Sequence, residues 1–110
     1  MAPALTDKHA VLDRLLTQLQ SSLQAEKLWA IKPPSQKALR SNQPFCVDTL
    51  SFEQWLQFVM LPRFRHMIQT AMPLPKQCDM SAMAQEAFKS RSLSAVSRVI
   101  HAIDELLSGA

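Results

Sequence analysis

Glycine is nearly missing from this chain of 110 residues: it occurs once, at Gly109. Phosphate-cradling loops, dinucleotide fingerprints and tight primed hairpins need residues that tolerate positive φ, so a sequence this poor in glycine argues against all three. Valine, isoleucine and threonine are sparse beside leucine, alanine, glutamine and methionine, which moves local preference from strand to helix. The two cysteines, Cys46 and Cys78, lie far apart and form no paired metal motif. They read as reduced thiols of a cytoplasmic protein. A signal peptide is not legible, because Asp13 and Arg14 interrupt the apolar stretch that begins at Val11. No run approaches the ~20 apolar residues needed to span a bilayer. The formal charge of +3 is small for a protein held to nucleic acid by many clustered phosphate contacts.

Apolar residues make up 47% of the chain, enough for one modest core. The expected organisation is a single domain over 1–110, with 1–5 a frayed tail. Leu12, Leu15, Leu16, Leu19 and Leu23 recur at steps of three and four, the stripe of an amphipathic helix capped at Thr6 or Asp7 and reaching about Lys27. The periodicity stops from Leu28 to Leu50, where Pro33, Pro34 and Pro44 forbid a continuous helix. That stretch still carries Trp29, Ile31, Leu39, Phe45 and Val47, so it is expected to wrap the other helices and pack down. Ser51 and Gln54 form a capping-box pattern ahead of Phe52, Trp55, Leu56, Val59, Met60 and Phe64. Apolar residues cover more than half of this second helix, which makes it the central one; Pro62 should kink or divide it. Asp79 or Ser81 opens a short third helix with Met80, Met83, Ala87 and Phe88 inward. Ser92 caps a fourth, in which Leu93, Val96, Ile100, Ile103 and Leu107 form a clean stripe and Gly109 supplies the stop. The fold class is therefore all-α: a four-helix bundle with a long irregular crossover between helices 1 and 2 and a proline-kinked central helix 2.

Catalytic chemistry finds no foothold in these residues. His9, His66 and His101 have no second histidine or cysteine at ligand spacing, so no metal site is expected, and His101 with Asp104 reads as a surface hydrogen bond. Cys46 sits between Phe45 and Val47, an apolar setting unsuited to an activated nucleophile. Asp48 and Glu53 are the only acids of the central third, which leaves no paired-carboxylate mechanism. No enzyme activity and no cofactor are expected.

The densest polar group runs from Gln43 to His66. On a helix Trp55, Val59, Pro62, Arg63 and His66 share one stripe, and Arg63 falls at the proline break, where freed carbonyls need donors. A buried Asp48–Arg63 pair, or Arg63 bound to the Phe58 or Val59 carbonyl, is one reading; an anion or peptide pocket floored by Trp55 is the other. The candidate binding residues are thus Trp29, Gln43, Phe45, Asp48, Trp55, Arg63 and His66. Lys27, Lys32, Lys37 and Arg40, with no acid between Glu26 and Asp48, form the best basic patch.

The runs Asn42-Gln43-Pro44-Phe45, Asp48-Thr49, Trp55-Leu56-Gln57-Phe58-Val59, Leu61-Pro62-Arg63 and Pro73-Leu74-Pro75 resemble the YqcC family of small gammaproteobacterial proteins without assigned function. The resemblance is close over the central third and rests on length and pattern in the flanking helices. It implies an all-helical cytoplasmic protein and carries over no catalytic residue. Members of that family are often encoded beside a tRNA pseudouridine synthase. Two functions follow as expectations. The first is a non-catalytic module that binds a protein partner or peptide, or a second copy through the Leu93–Leu107 face. The second is an accessory of tRNA modification, in which Lys27, Lys32, Lys37 and Arg40 meet phosphates or the chain attends a pseudouridine synthase.

Overall fold

A computed structural model describes residues 7–76, 79–89 and 94–108 of the chain. Every regular element among them is helical: α1 (Asp7–Ala25), α2 (Gln36–Leu39), a 3-10 turn (Pro44–Cys46), α3 (Phe52–Trp55), a π turn (Leu56–Met60), α4 (Leu61–Gln69), α5 (Met80–Ala87) and α6 (Ser94–Leu107). The all-α expectation holds. The elements are more divided than four helices joined by an irregular crossover, because the crossover contains α2 and the 3-10 turn. Thr6, Cys78, Ser92, Leu93, Gly109 and the tail 1–5 lie outside the described residues.

The leucine stripe of α1 does what its spacing dictates. Leu12, Leu16, Leu19 and Leu23 are fully buried, and Leu15 is packed at the edge of the same core. α6 answers with Val96, Ile100, Ile103 and Leu107, all buried, and packs on both α1 and α5. From 52–69 the core receives Phe52, Leu56, Met60, Leu61 and Phe64. Removal of these side chains from water, at about 25 cal/mol for each Å² of apolar surface, drives the assembly. In α5 the inward residues are Met80 and Ala84, with Phe88 just beyond; Ala87, expected inside, is exposed, because Ala84 and Phe88 are the positions one turn apart that share the Met80 face.

The second helix is divided into α3, the π turn and α4, and the irregular stretch ends just before Pro62. The chain passes from α3 through the π turn into α4 with right-handed helical dihedrals at Trp55, Met60 and Leu61, and the Leu61 N–H donates five residues back to the Leu56 carbonyl. The π turn ends where α4 begins, so Pro62 falls in the first turn of α4, where a missing N–H costs little. The Ser51–Gln54 capping box forms as expected, the Ser51 hydroxyl accepting from the Gln54 amide while the Gln54 side chain accepts from the Ser51 amide.

Left-handed backbone is present despite the shortage of glycine. Among the described residues Lys27, Phe45, Cys46, Ala71 and Asp79 have positive φ. Two of them end helices. α1 stops at Ala25, two residues short of the expected Lys27, because Lys27 turns left-handed: its N–H donates to the Gln24 carbonyl at 3.1 Å, and the Leu28 N–H to the Leu23 carbonyl at 2.8 Å. α4 ends the same way at Ala71, with Ala71 to Ile68 at 3.2 Å and Met72 to Met67 at 2.9 Å. Both are Schellman caps, built without the usual glycine.

Polar groups tie α1 and the chain following it to 52–72 at three levels. The His9 ring, buried, donates from Nε2 to the Met72 carbonyl at 2.7 Å. Arg65 Nη2 donates to Gln20 Oε1 at 2.6 Å. Gln57 bonds to the backbone of Ala30. The order 9–72, 20–65, 30–57 fixes the two segments as antiparallel neighbours.

α5 is held at its start by another helix. The Asp104 carboxylate of α6 accepts from the Met80 N–H at 3.0 Å, from the Ser81 N–H at 2.6 Å and from the Ser81 hydroxyl at 2.6 Å. Asp79 occupies the N-cap position, yet its side chain makes no cap bond, since its left-handed backbone is not the extended conformation from which a cap side chain reaches back. The expected His101–Asp104 bond is replaced accordingly: His101 pairs with Glu105 at 3.0 Å on the surface, one turn along the same helix.

Candidate functional site

The crossover is ordered by its own side chains before it reaches the helices. Ser35 caps α2 by accepting from the Ala38 amide at 3.1 Å, and the Thr49 hydroxyl donates to the Ala38 carbonyl at 2.7 Å. The Ser41 hydroxyl donates to Asp48 Oδ1 and accepts from the Gln43 amide at 3.1 Å. These bonds close the segment on itself and present the turn Pro44–Cys46 to α3.

That turn carries Phe45 and Cys46 in the left-handed region, at φ 57° and 50°. Consecutive non-glycine residues there cost roughly 1–2 kcal/mol each, so surrounding contacts must hold them. The contacts are aromatic. The Phe45 ring meets Trp55 edge-on at 4.8 Å and Phe52 edge-on at 6.1 Å; Phe52 stacks on Trp55 at 5.8 Å and lies 5.7 Å from Phe88. Phe52 and Phe88 are buried, whereas Phe45 and Trp55 are half-buried at the margin of the core. Cys46 is buried behind the turn.

Between this turn, the start of α3 and the last turn of α5 lies an open cleft of about 350 Å³. Phe45, Val47, Leu50, Phe52 and Met83 give it apolar walls, and Glu53 and Glu86 are ionisable residues among the described ones that line it. Val47, 55% exposed, leaves an apolar side chain at the mouth. A second cleft, about 430 Å³, runs between α1 and α6 along Thr17, Ser21, Ala95 and Arg98, without aromatic side chains among the described residues.

Of the residues expected to bind, the structure brings Phe45 and Trp55 into ring contact and joins Gln43 and Asp48 through Ser41. Trp29 is half-buried against the core beside the Ala30–Gln57 clasp. Arg63 and His66 are exposed on α4, and the His66 carbonyl accepts from the Thr70 hydroxyl at 2.8 Å. The Asp48–Arg63 pair does not form, nor does Arg63 bond to the Phe58 or Val59 carbonyl; Asp48 is exposed and engaged by Ser41 instead. The physical reason is that the π turn runs directly into α4, whose first turn takes Pro62, so that Arg63 continues the helix on its exposed side.

Sequence reasoning missed Glu53 of α3 and Met83 and Glu86 of α5 as cleft residues, because only the fold brings the two helices together. It also missed Gln57, whose buried amide could have been suspected from a polar residue between Leu56 and Phe58 on an otherwise apolar helix. Lys27, Lys32, Lys37 and Arg40 are all exposed on the crossover. Among the described residues no group of histidine, cysteine and carboxylate side chains could hold a metal ion, and no helix is long and apolar enough to cross a membrane.

Comparison with known proteins places these features in a family. The family model DUF446, described as tRNA pseudouridine synthase C, matches residues 11–106. An uncharacterised protein of Haemophilus influenzae is 39% identical over 74 residues, 67% of this chain and 70% of that one. The uncharacterised protein YqcC of Escherichia coli is 35% identical over 66 residues, 57% of this chain and 61% of that one. A protein of Pectobacterium carotovorum named tRNA pseudouridine synthase C is 30% identical over 76 residues, which are 69% of this chain and only 20% of that protein. The solution NMR structure of Escherichia coli YqcC superposes with a TM-score of 0.76 at 25% identity, covering 94% of this chain and 91% of that one.

Proposed function

The chain belongs to the DUF446 family, whose members include YqcC, and from that premise we propose that it is a non-catalytic module that binds a protein or peptide in the cleft beside Phe45. The observation that carries this reading is the cleft itself: apolar walls from three elements, an exposed Val47 at the mouth, and a strained turn whose Phe45 ring is held by Phe52 and Trp55. Strain retained on a surface marks a shape that the fold maintains at a cost. The buried polar groups support the non-catalytic part of the reading, because their hydrogen bonds are spent on structure: His9 on Met72, Gln57 on Ala30. Of the candidate residues, Phe45 lines this cleft and Trp55 supports the Phe45 ring from outside it, while Gln43 and Asp48 brace the crossover through Ser41. Photocrosslinking tests the reading. A benzophenone amino acid at position 47 is expected to give a discrete adduct in cells, while the same group at Gln24, on α1, gives none. Identical adduct patterns from the two positions would remove the cleft as a binding site.

A second reading, an accessory of tRNA modification, is favoured by one specific observation. The stretch of this family found in the Pectobacterium protein occupies a fifth of a longer chain named for tRNA pseudouridine synthesis. Segments that are fused in one organism commonly associate as separate chains in another, so a pseudouridine synthase is the first partner to test. The exposed Lys27, Lys32, Lys37 and Arg40 would lie against tRNA in such a complex. Co-elution of the purified chain with that synthase is the expected result, with tRNA binding that falls steeply as salt rises. Separate elution, together with no gel shift at low salt, would dispose of this reading.

A further inference from the structure

We infer that the crossover tip at Ile31 and Lys32 docks on a partner protein, with Ile31 entering an apolar pocket bordered by carboxylates. No residue of the tip lines the cleft beside Phe45, so the inference stands apart from the reading of that cleft. Ile31 is 98% exposed, whereas the other exposed large apolar side chains among the described residues, Val11, Val47 and Met72, reach at most 55%. A single apolar side chain in water is ordinary on a protein surface; one that the fold pins there is not. Ala30, directly before it, has both backbone groups held by the buried Gln57 amide. Pro33 and Pro34, just after it, have fixed φ, and Pro33 disfavours helical geometry at Lys32. α2 follows, capped by Ser35 and tied to the Thr49 hydroxyl through the Ala38 carbonyl. Residues 31–34 thus bridge two anchored points, and the β-branched side chain of Ile31 adds little freedom of its own. A projection ordered before it binds loses less entropy on binding, which favours a fitted pocket.

The charge along this segment is of one sign. Lys27, Lys32, Lys37 and Arg40 are exposed, and no acid stands between Glu26 and Asp48. Among the described residues no ion pair engages these four side chains. The stretches outside the described residues contain no aspartate or glutamate, so no acidic side chain of theirs neutralises the tip. A positively charged apolar projection is complementary to a pocket ringed by carboxylates. Phosphates would answer the lysines equally well, as the tRNA reading requires. Nucleic acid, however, is read by aromatic stacking and base-edge hydrogen bonds, and isoleucine offers neither. A bilayer takes up apolar side chains in any arrangement, and one isoleucine is a weak anchor for it. A protein pocket is the partner that uses both the aliphatic shape and its fixed position.

Photocrosslinking in cells tests the inference, with a benzophenone amino acid in place of Gln36, exposed at the start of α2 and outside the tip itself. The expected result is a protein adduct whose mapped site holds apolar residues among aspartates or glutamates. The adduct should vanish for Ile31→Ser and fall about fivefold for the double variant Lys32→Gln, Lys37→Gln. All three side chains are exposed, so both variants should keep the urea midpoint of the parent chain. An adduct untouched by Ile31→Ser, one that nuclease removes, or none at all would overturn the inference. Loss with Ile31→Ser but no response to the lysine variant, or a mapped site without acids, would overturn the carboxylate rim. Each of these results leaves the Phe45 cleft to its own crosslinking test at position 47.

Discussion

The Gln57 side chain and the backbone of Ala30 exchange two hydrogen bonds, Ala30 N–H to Oε1 at 2.8 Å and Nε2 to the Ala30 carbonyl at 2.9 Å. An amide side chain here imitates the pairing of one strand residue with another. It satisfies both backbone groups of a half-buried residue in a segment with no ladder of its own, and so fixes where the crossover leaves α1. Gln57 sits in the π turn, 8% exposed, among Leu56 and Met60. Gln57→Leu keeps the volume and leaves Ala30 unpaired. The expected loss is about 1–3 kcal/mol in urea unfolding, accompanied by faster amide exchange at Ala30. A stability loss without faster exchange at Ala30 would assign the effect to packing and remove the clasp from the account.

Asp104 performs for α5 what a local cap would perform, from a different helix. Asp104→Ala strips three hydrogen bonds from Met80 and Ser81 and should cost about 1–2 kcal/mol, with exchange protection lost first in the opening turn of α5. Glu105→Ala, which breaks only the exposed pair with His101, should stay within about 0.5 kcal/mol. Equal thermal shifts for the two variants would contradict the tertiary cap.

The helical stripes were legible in the sequence because leucine and isoleucine spacing follows one rule, and Leu12, Leu16, Leu19, Ile100 and Ile103 all occupy the core that rule assigns them. The capping box at Ser51 was legible for the same reason, being local. What could not be read is whatever joins distant positions. Asp104 reaching Met80, Gln57 reaching Ala30 and His9 reaching Met72 depend on how helices lie against each other, which no local spacing encodes. The candidate site was half legible for that reason. Phe45 stood out as an aromatic residue in the motif that resembles YqcC, but Met83 and Glu86 come from α5, which the fold alone brings to the same cleft.

Trp55 illustrates the difference between an apolar residue and a core residue. Expected inside, it is half-buried, with Phe45 and Phe52 on its ring faces and edges, whereas Leu56 beside it is fully buried. Leu56→Ala should therefore cost about 2–5 kcal/mol by leaving a cavity. Trp55→Ala should cost less than that, about 1–3 kcal/mol, mainly through lost ring contacts. Urea midpoints of the two variants decide the order; a larger loss for Trp55 would move it into the centre of the core.

Ala71 and Lys27 close helices in a conformation that disfavours any residue with a Cβ, and they give the sharpest test of the backbone described here. The left-handed region costs an ordinary residue roughly 1–2 kcal/mol, while replacement by glycine forfeits about 0.4–1 kcal/mol by loosening the unfolded chain. The first effect is the larger, so Ala71→Gly should stabilise by about 0.5–1 kcal/mol, as should Lys27→Gly. Ala10→Gly, at an exposed position inside α1, makes the same chemical change as Ala71→Gly where φ is ordinary and should destabilise by about 1 kcal/mol. Thermal melts of the three variants would separate the cases by sign. A drop for Ala71→Gly that matches Ala10→Gly would mean that α4 continues past Gln69 in solution, and the Schellman cap that places Met72 against His9 would have to be abandoned.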